Sequence, residues 1–269
     1  MANDVGHADC LGSNRQHSTT RIFFRQNALM TTFESTYPLR ADLALALRAA
    51  AHHGLSEGIC NHFSVMLPGD TDKFLLNPRG LHWSEVQAGD IVMCNAAGEQ
   101  LAGRHPVEPT AMFIHAAVHR ITGHAVVLHT HMPHATALTL TAQRALDTTL
   151  SQGAMRFHGR VAVDENYNGL ALDMQEGERI ARAMLVPGRA KDVAFLGNHG
   201  IVVCGSRIDY AYDDLYYLER ECQLQVLALS TGLKLLPLPM ALADKVAAQI
   251  DGERLQSELF FESLRRLVK

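Results

Sequence analysis

Apolar positions along the chain alternate between short runs that suit buried strands and longer stretches with helical spacing. Residues 38–54 (PLRADLALALRAAAHHG) are rich in Ala and Leu and end in glycine, which predicts a helix with a glycine stop. Residues 58–69 (GICNHFSVMLPG) predict a strand. Residues 73–86 (KFLLNPRGLHWSEV) predict a short strand and then a Pro–Gly turn. Residues 90–103 (DIVMCNAAGEQLAG) predict a hairpin turning at Ala97 and Gly98. Residues 108–122 (EPTAMFIHAAVHRIT) form an amphipathic pattern with Pro109 near the start, where a helix tolerates it. The run AVVLHTHMPHATA, residues 125–137, then predicts a buried strand that Pro133 ends.

The second half continues the alternation. Residues 141–157 are expected to be helical, 160–169 a short strand and turn, and 176–185 a helix ended by Pro187 and Gly188. Residues 192–205 (DVAFLGNHGIVVCG) predict a buried strand pair interrupted by Gly-Asn-His-Gly. A long helix over 210–231 follows, is broken by Pro237 and Pro239, and gives way to one final amphipathic helix. Helices alternating with short strands imply an α/β domain with a mixed sheet covered by helices. Residues 1–35 are polar and mixed and are expected to be a flexible N-terminal extension, leaving 36–269 as one domain.

Composition narrows the function classes. With 47% hydrophobic and 19% charged residues the chain reads as a globular enzyme, and a net charge of −4 gives no reason to expect nucleic acid or an anionic membrane as partner. The five cysteines are scattered and never spaced as Cys-x-x-Cys, which favours free thiols in a reducing compartment. There is no apolar run of membrane-spanning length and no continuous apolar N-terminal stretch, so the expected location is the cytoplasm. The oddity is 15 histidines, which cluster between residues 51 and 134.

Two of them carry the candidate chemistry. His129 and His131 stand one residue apart at a strand end, so their side chains share a face. Such a pair either finishes the strand or provides two-thirds of a tridentate metal site. His199, between Gly197 and Gly200 amid apolar strands, supplies a third imidazole. Three neutral imidazoles with an open position make a catalytic rather than a structural metal site.

The order of helix, AVVLHTHMPHATAL, long gap and FLGNHGIVVCG resembles the class II aldolase/adducin family over roughly residues 38 to 240. The resemblance implies a three-layer α/β/α fold with a central, mostly antiparallel sheet, and a homo-oligomer, with a tetramer favoured. It implies His129, His131 and His199 as ligands of one divalent metal, zinc first, with iron or manganese also fitting three imidazoles. The family includes sugar-phosphate aldolases and epimerases as well as metal-free adducin head domains.

The chain departs from the aldolase pattern before the His-x-His strand. The aldolases open that helix with Ser-Ser-Glu, the Glu four residues before a helix histidine. Here that histidine corresponds to His115, and Ala111 stands in the place of the carboxylate. Glu108 lies three residues further back, either as a cap carboxylate worth roughly 0.3–1 kcal/mol or as a displaced acid/base or fourth metal ligand. The segments that cradle a phosphate in the aldolases correspond here to Asn61 and Ser64, to Arg79 and Gly80, and to Thr110, which become the expected substrate-binding residues. Arg79 is either a bidentate anion ligand or a solvated turn arginine. His115 and His119, four apart on one helix face, are expected to support the site or pack, and His134 to face the pocket rim. Tyr167 is read as a packed turn residue, and Tyr210, Tyr212, Tyr216 and Tyr217 as core or subunit-contact residues.

The leading expectation is a metal-dependent lyase, of aldolase or decarboxylase type. It would act on a small hydroxy-carbonyl, anionic or not, through a metal-stabilised enediolate, with Glu108 moving the proton. The alternatives are a non-haem iron oxygenase on the same histidines and a non-catalytic adducin-like interaction domain.

Overall fold

The structure is a computed structural model that describes residues 33–268. Most of the expected N-terminal extension, residues 1–32, lies outside the described residues. Helix α1 (Tyr37–His52) carries Pro38 in its first turn and buries an Ala/Leu face. Then come β1 (His62–Leu67), β2 (Asp70–Leu76), a 3-10 turn at Trp83–Glu85, β3 (Val92–Asn95) and β4 (Gln100–Ala102). Helix α2 (Pro109–Thr122) leads directly into β5 (Val126–Thr130), and α3 (Pro133–Thr139) starts at the proline expected to end the strand. The second half comprises α4 (Gln152–Met155), β6 (Val161–Asp164), α5 (Met174–Ala183), β7 (Leu185–Val186), β8 (Arg189–Ala190), β9 (Val193–Leu196) and β10 (Gly200–Gly205). Helices α6 (Ile208–Ser230), α7 (Met240–Asp251) and α8 (Leu255–Leu267) close the chain.

Eight strands form one sheet in the order β4-β3-β2-β1-β5-β10-β9-β6. Every neighbouring pair is antiparallel except β6 with β9. The central strand β5 is buried along its whole length, which explains its unbroken Val-Val-Leu run. Alternation along it divides two cores. Val126 and Leu128 join one face with Phe63, Leu75, Val203, Leu43 and Leu215 beneath α1 and α6. Val127 packs on the other face with Val202, Ile114 and Ile180 beneath α2 and α5. The result is the expected three-layer arrangement of helices around a mostly antiparallel sheet. Helices α2 and α5 approach so closely at Gly177 that a Cβ there would lie 2.4 Å from the carbonyl oxygen of Phe113.

Two expected elements differ. Residues 141–157 are mostly turns, with only the four-residue α4 at Gln152–Met155. Short polar side chains take backbone N–H groups a helix would use, Thr141 Oγ1 accepting from Arg144 N and Asp147 Oδ1 from Thr149 N, while Ser151 Oγ caps the short α4 by accepting from Ala154 N. The single final helix is two, α7 and α8, divided at Gly252. Arg254, just past that break, reaches back to Asp214 with Nη1 at 3.1 Å from Oδ1, which anchors the start of α8 on α6.

Candidate metal centre

Strand pairing brings the three histidines together. His129 is buried near the end of β5, and Val202 on β10 lies opposite it. Its Nδ1 lies 2.9 Å from the carbonyl oxygen of Ile201. A carbonyl only accepts, so Nδ1 carries the proton and Nε2 is left with a bare lone pair. His131 follows the strand, and its Nδ1 lies 2.5 Å from Glu57 Oε2, which fixes the same tautomer. Its Nε2 is buried and has no partner among the described residues. His199 sits in the turn between β9 and β10. The ring centroids are 5.1 Å apart for His129 and His131, 4.9 Å for His129 and His199, and 5.0 Å for His131 and His199. One ligand nitrogen from each lies within 4.8 Å of the others.

The surroundings favour neutral imidazoles, the form that binds a metal. Burial, followed by the neighbouring His199 and His131, pushes His129 well below the ordinary histidine range. Burial and His131 lower His199 to about 4. An orphaned buried nitrogen aimed among two other imidazoles suits a divalent cation of zinc type, and the same donor set accepts iron or manganese. Gly200 belongs to this arrangement, because a Cβ there would lie 2.5 Å from Cδ2 of His131. Two non-glycine residues beside the three histidines adopt left-handed backbone: Asn61 at φ 75° and Asn198 at φ 58°. Asn61 Oδ1 accepts the backbone N–H of His131 at 3.2 Å, and Asn198 Oδ1 accepts from Arg144 Nη1 at 3.0 Å. Side-chain bonds of this kind hold strained backbone in place next to a site.

A cavity of about 340 Å³ opens beside the triad. Asn61, Arg79, Glu108 and Thr110 line it together with the three histidines, as does His62. Glu108 is the N-cap residue of α2 but makes no side-chain cap bond. Its Oε2 lies instead 2.8 Å from Nε of Arg79, so the two residues singled out separately form one ion pair at the cavity wall. The structure does not bring Ser64 and Gly80 there. Gly80 is an exposed turn residue outside the lining. Ser64 is fully buried, with Oγ 2.5 Å from His115 Nδ1 and 2.7 Å from His119 Nε2. Strand alternation turns it to the α2 face, where the two helix histidines take up its hydroxyl.

His115 and His119 are thus buried partners of Ser64 and do not line the cavity. Burial pushes His115 well below the ordinary range and His119 to about 4, and burial lowers His62 to about 3. His134 does not reach the rim: its Nδ1 lies 2.7 Å from Glu219 Oε1, and Glu219 also accepts the N–H groups of His134 and Ala135 at the start of α3. Tyr167 is half-exposed with its ring 6.0 Å from that of His199, so it stands nearer the triad than a merely packed turn residue. Tyr212 is buried with its hydroxyl 2.8 Å from His53 Nδ1. Tyr210 donates to Glu258, and Tyr216 and Tyr217 pack on each other and on Phe260. Glu57 is the residue that sequence reasoning missed. It lies in a polar loop with no periodicity, and only folding sets it against a histidine 74 positions away.

The family model described as the class II aldolase and adducin N-terminal domain matches residues 41–226. The chain belongs to that family. It is similar, at 34% identity over 74% of this chain and 75% of the other, to a Pseudomonas aeruginosa protein with a provisional aldolase class 2 name. It is 28% identical to a 4-hydroxy-3-prenylphenylpyruvate oxygenase/4-hydroxy-3-prenylbenzoate synthase of Streptomyces roseochromogenus, over 88% of this chain and 83% of that one. Among solved structures, an aldolase II superfamily protein from Pseudomonas syringae superposes with a TM-score of 0.77 at 30% identity. That match covers 86% of this chain and 92% of the other.

Proposed function

We propose that the protein is a divalent-metal-dependent lyase, of aldolase or decarboxylase type, acting on a small hydroxy-carbonyl substrate. The observation that carries this is the convergence of His129, His131 and His199, each with a ligand nitrogen within 4.8 Å of the others, beside a cavity of substrate size. His129 and His131 would hold the ion through Nε2, since their Nδ1 protons are committed to Ile201 and Glu57, and His199 would complete the set. Zinc is the first choice. A divalent ion, when bound there, would supply Lewis acidity toward carbonyl and hydroxyl oxygens, the chemistry that carbon–carbon cleavage or loss of a carboxylate calls for.

The rest of the chemistry belongs to side chains of this chain. Arg79, more than half exposed and sharing the wall with Glu108, is placed to receive a carboxylate or phosphate of the substrate. Glu108 is the one carboxylate among the described residues lining the cavity, and its carboxyl oxygens are where a proton would be accepted and returned. Thr110 and Asn61 complete the polar wall. The same reading takes the protein as a cytoplasmic homotetramer without nucleic-acid or membrane partners. No helix among the described residues is long and apolar enough to cross a membrane.

Metal content of wild type and of His129→Ala tests the centre. About one ion per wild-type chain and none in the variant is expected, and stoichiometric metal in the variant would overturn the site. A second reading, a non-haem iron oxygenase, draws on the oxygenase-named Streptomyces relative. Oxygen uptake by the iron-loaded protein with aromatic 2-oxo acids would favour it, and its absence beside carbon–carbon cleavage would favour the lyase.

A further inference from the structure

Behind the cavity wall lies a cluster of polar groups that the metal chemistry does not use. It begins at the carbonyl oxygen of His124, which is 2.7 Å from Nδ1 of His119. Because that oxygen only accepts, His119 carries its proton on Nδ1 and presents Nε2 as an acceptor. Ser64 Oγ, 2.7 Å away, therefore donates its hydrogen to His119 Nε2. The same oxygen is then free to accept from Nδ1 of His115 at 2.5 Å. Each link sets the direction of the next. The chain ends on Nε2 of His115, a bare lone pair that is buried and has no donor among the described residues.

His62 is a ring neighbour of His115. It lies 5.8 Å from His115 between centroids at an interplanar angle of 86°. It is 9% exposed, and its own Nδ1 is buried without a partner among the described residues. A proton on Nδ1 of His62 would give the neighbouring His115 Nε2 the donor it lacks and would leave neither buried nitrogen as a bare lone pair facing the other. A proton on Nε2 would leave two buried lone pairs without a donor, each costly in a dry interior. His62 also lines the cavity, and strand register puts it directly opposite His129, with ring centroids 6.0 Å apart.

We propose that His124 carbonyl, His119, Ser64 and His115 form a one-way hydrogen-bond chain that fixes His62 with its proton on Nδ1. The ring then turns a bare Nε2 to the cavity as an acceptor for a substrate hydroxyl. The substrate class is thereby narrowed to small molecules with a free hydroxyl close to the oxygens that face the three metal-site histidines. An ether or deoxy analogue leaves the Nε2 lone pair without its donor and is discriminated against. His62 is a binding and specificity residue, and Ser64, His115 and His119 are positioning residues that act through it. The position of the substrate rests on the metal-site reading, whereas the tautomer of His62 does not.

Two measurements test this. Two-bond proton–nitrogen correlation spectra of the full-length chain, as purified and with added zinc, report which nitrogen of each histidine carries the proton. Protons on Nδ1 of both His115 and His62 are expected, with the His62 assignment becoming mixed in Ser64→Ala. A proton on Nε2 of either ring in wild type would overturn the chain. The second measurement compares glycolate with methoxyacetate as ligands of the zinc-loaded protein, in wild type and in His62→Phe, which keeps a ring but removes its nitrogens. A wild-type preference for glycolate of about fivefold, lost in the variant, is expected, and an unchanged preference would overturn the role of His62. Failure to take up zinc would count against the metal site alone, and the tautomer spectrum of wild type would still decide the chain.

Discussion

Glu57 Oε2 lies 2.5 Å from Nδ1 of His131, so a carboxylate from the loop before β1 orients an imidazole at the end of β5. The contact does two things. It commits the Nδ1 proton, and it aims Nε2 at the space shared with His129 and His199. Carboxylates in this role raise the basicity of a ligating imidazole and fix its ring.

Glu57→Ala is accordingly expected to weaken divalent-metal affinity by about 10- to 100-fold. Glu57→Gln, which keeps an acceptor oxygen, should lose less. Because the Glu57 side chain is 58% exposed, the unfolding midpoint of the metal-free protein should barely move. Competition against a chromophoric chelator and a thermal melt read the two effects separately.

Gly200→Ala should damage the same centre from the other side. The added methyl would meet His131 Cδ2 at 2.5 Å and the Thr130 carbonyl oxygen at 3.0 Å. The carbonyl belongs to the buried strand β5 and the ring is tied to Glu57, so overpacking should cost about 1–3 kcal/mol. Metal stoichiometry should fall with it. An alanine variant with full stability and full metal content would show that His131 does not occupy this position.

Stability should fall as the solution is acidified below the ordinary histidine range. His119 is buried, and burial holds its pKa near 4 despite the accepting carbonyl of His124. Its contribution is fully present above the unfolded value of 6.5 and is lost as pH falls toward 4, because the unfolded chain takes up the proton first. This one group accounts for about 3 kcal/mol across that window. His62, His115 and His129 are depressed in the same direction and steepen the fall. Urea midpoints measured between pH 7 and pH 4 check the slope. His119→Asn should flatten it.

A second charged cluster ties α6 to the last helix. Asp214 is buried, with Oδ2 2.5 Å from Arg160 Nη2 and 3.1 Å from Arg254 Nη2. Burial alone would raise its pKa, but Arg160 and then Arg254 hold the carboxyl below the usual range. Its stabilisation is therefore present above the unfolded carboxylate range and disappears as pH falls through the lower folded value. Asp214→Asn removes the carboxylate that Arg160 and Arg254 share, leaving them Asp192 and Asp251 as partners, and should cost about 1–3 kcal/mol, read as a lower urea midpoint with an unchanged slope. Metal content should be unaffected, since Asp214 lies outside the triad and the cavity wall.

Periodicity was enough to place α1, α2, β5, the β9–β10 hairpin and α6, because each buries a long, regular apolar pattern. It misled over residues 141–157, where apolar spacing is overridden by Thr141 and Asp147 bonding to nearby backbone. The His-x-His spacing and the Asn-His-Gly turn were legible as chemistry because strand alternation is local. Ser64 was misread for the complementary reason. Its motif suits a binding loop, yet its face of β1 looks onto α2, and that is decided by which helix crosses the strand.

The order of residues determined the fold class, the two adjacent imidazoles on one strand face and the lack of the usual aldolase carboxylate before them. These depend on nearest neighbours along the backbone and on side chains that alternate by geometry. Tertiary structure decided that His199 meets the pair, that Glu57 holds His131, that Arg79 closes on Glu108, and that His115 stands behind His62. Those partners are tens of residues apart, and only the pairing of β1 and β10 on either side of β5, with α2 packed across the sheet, brings them into contact.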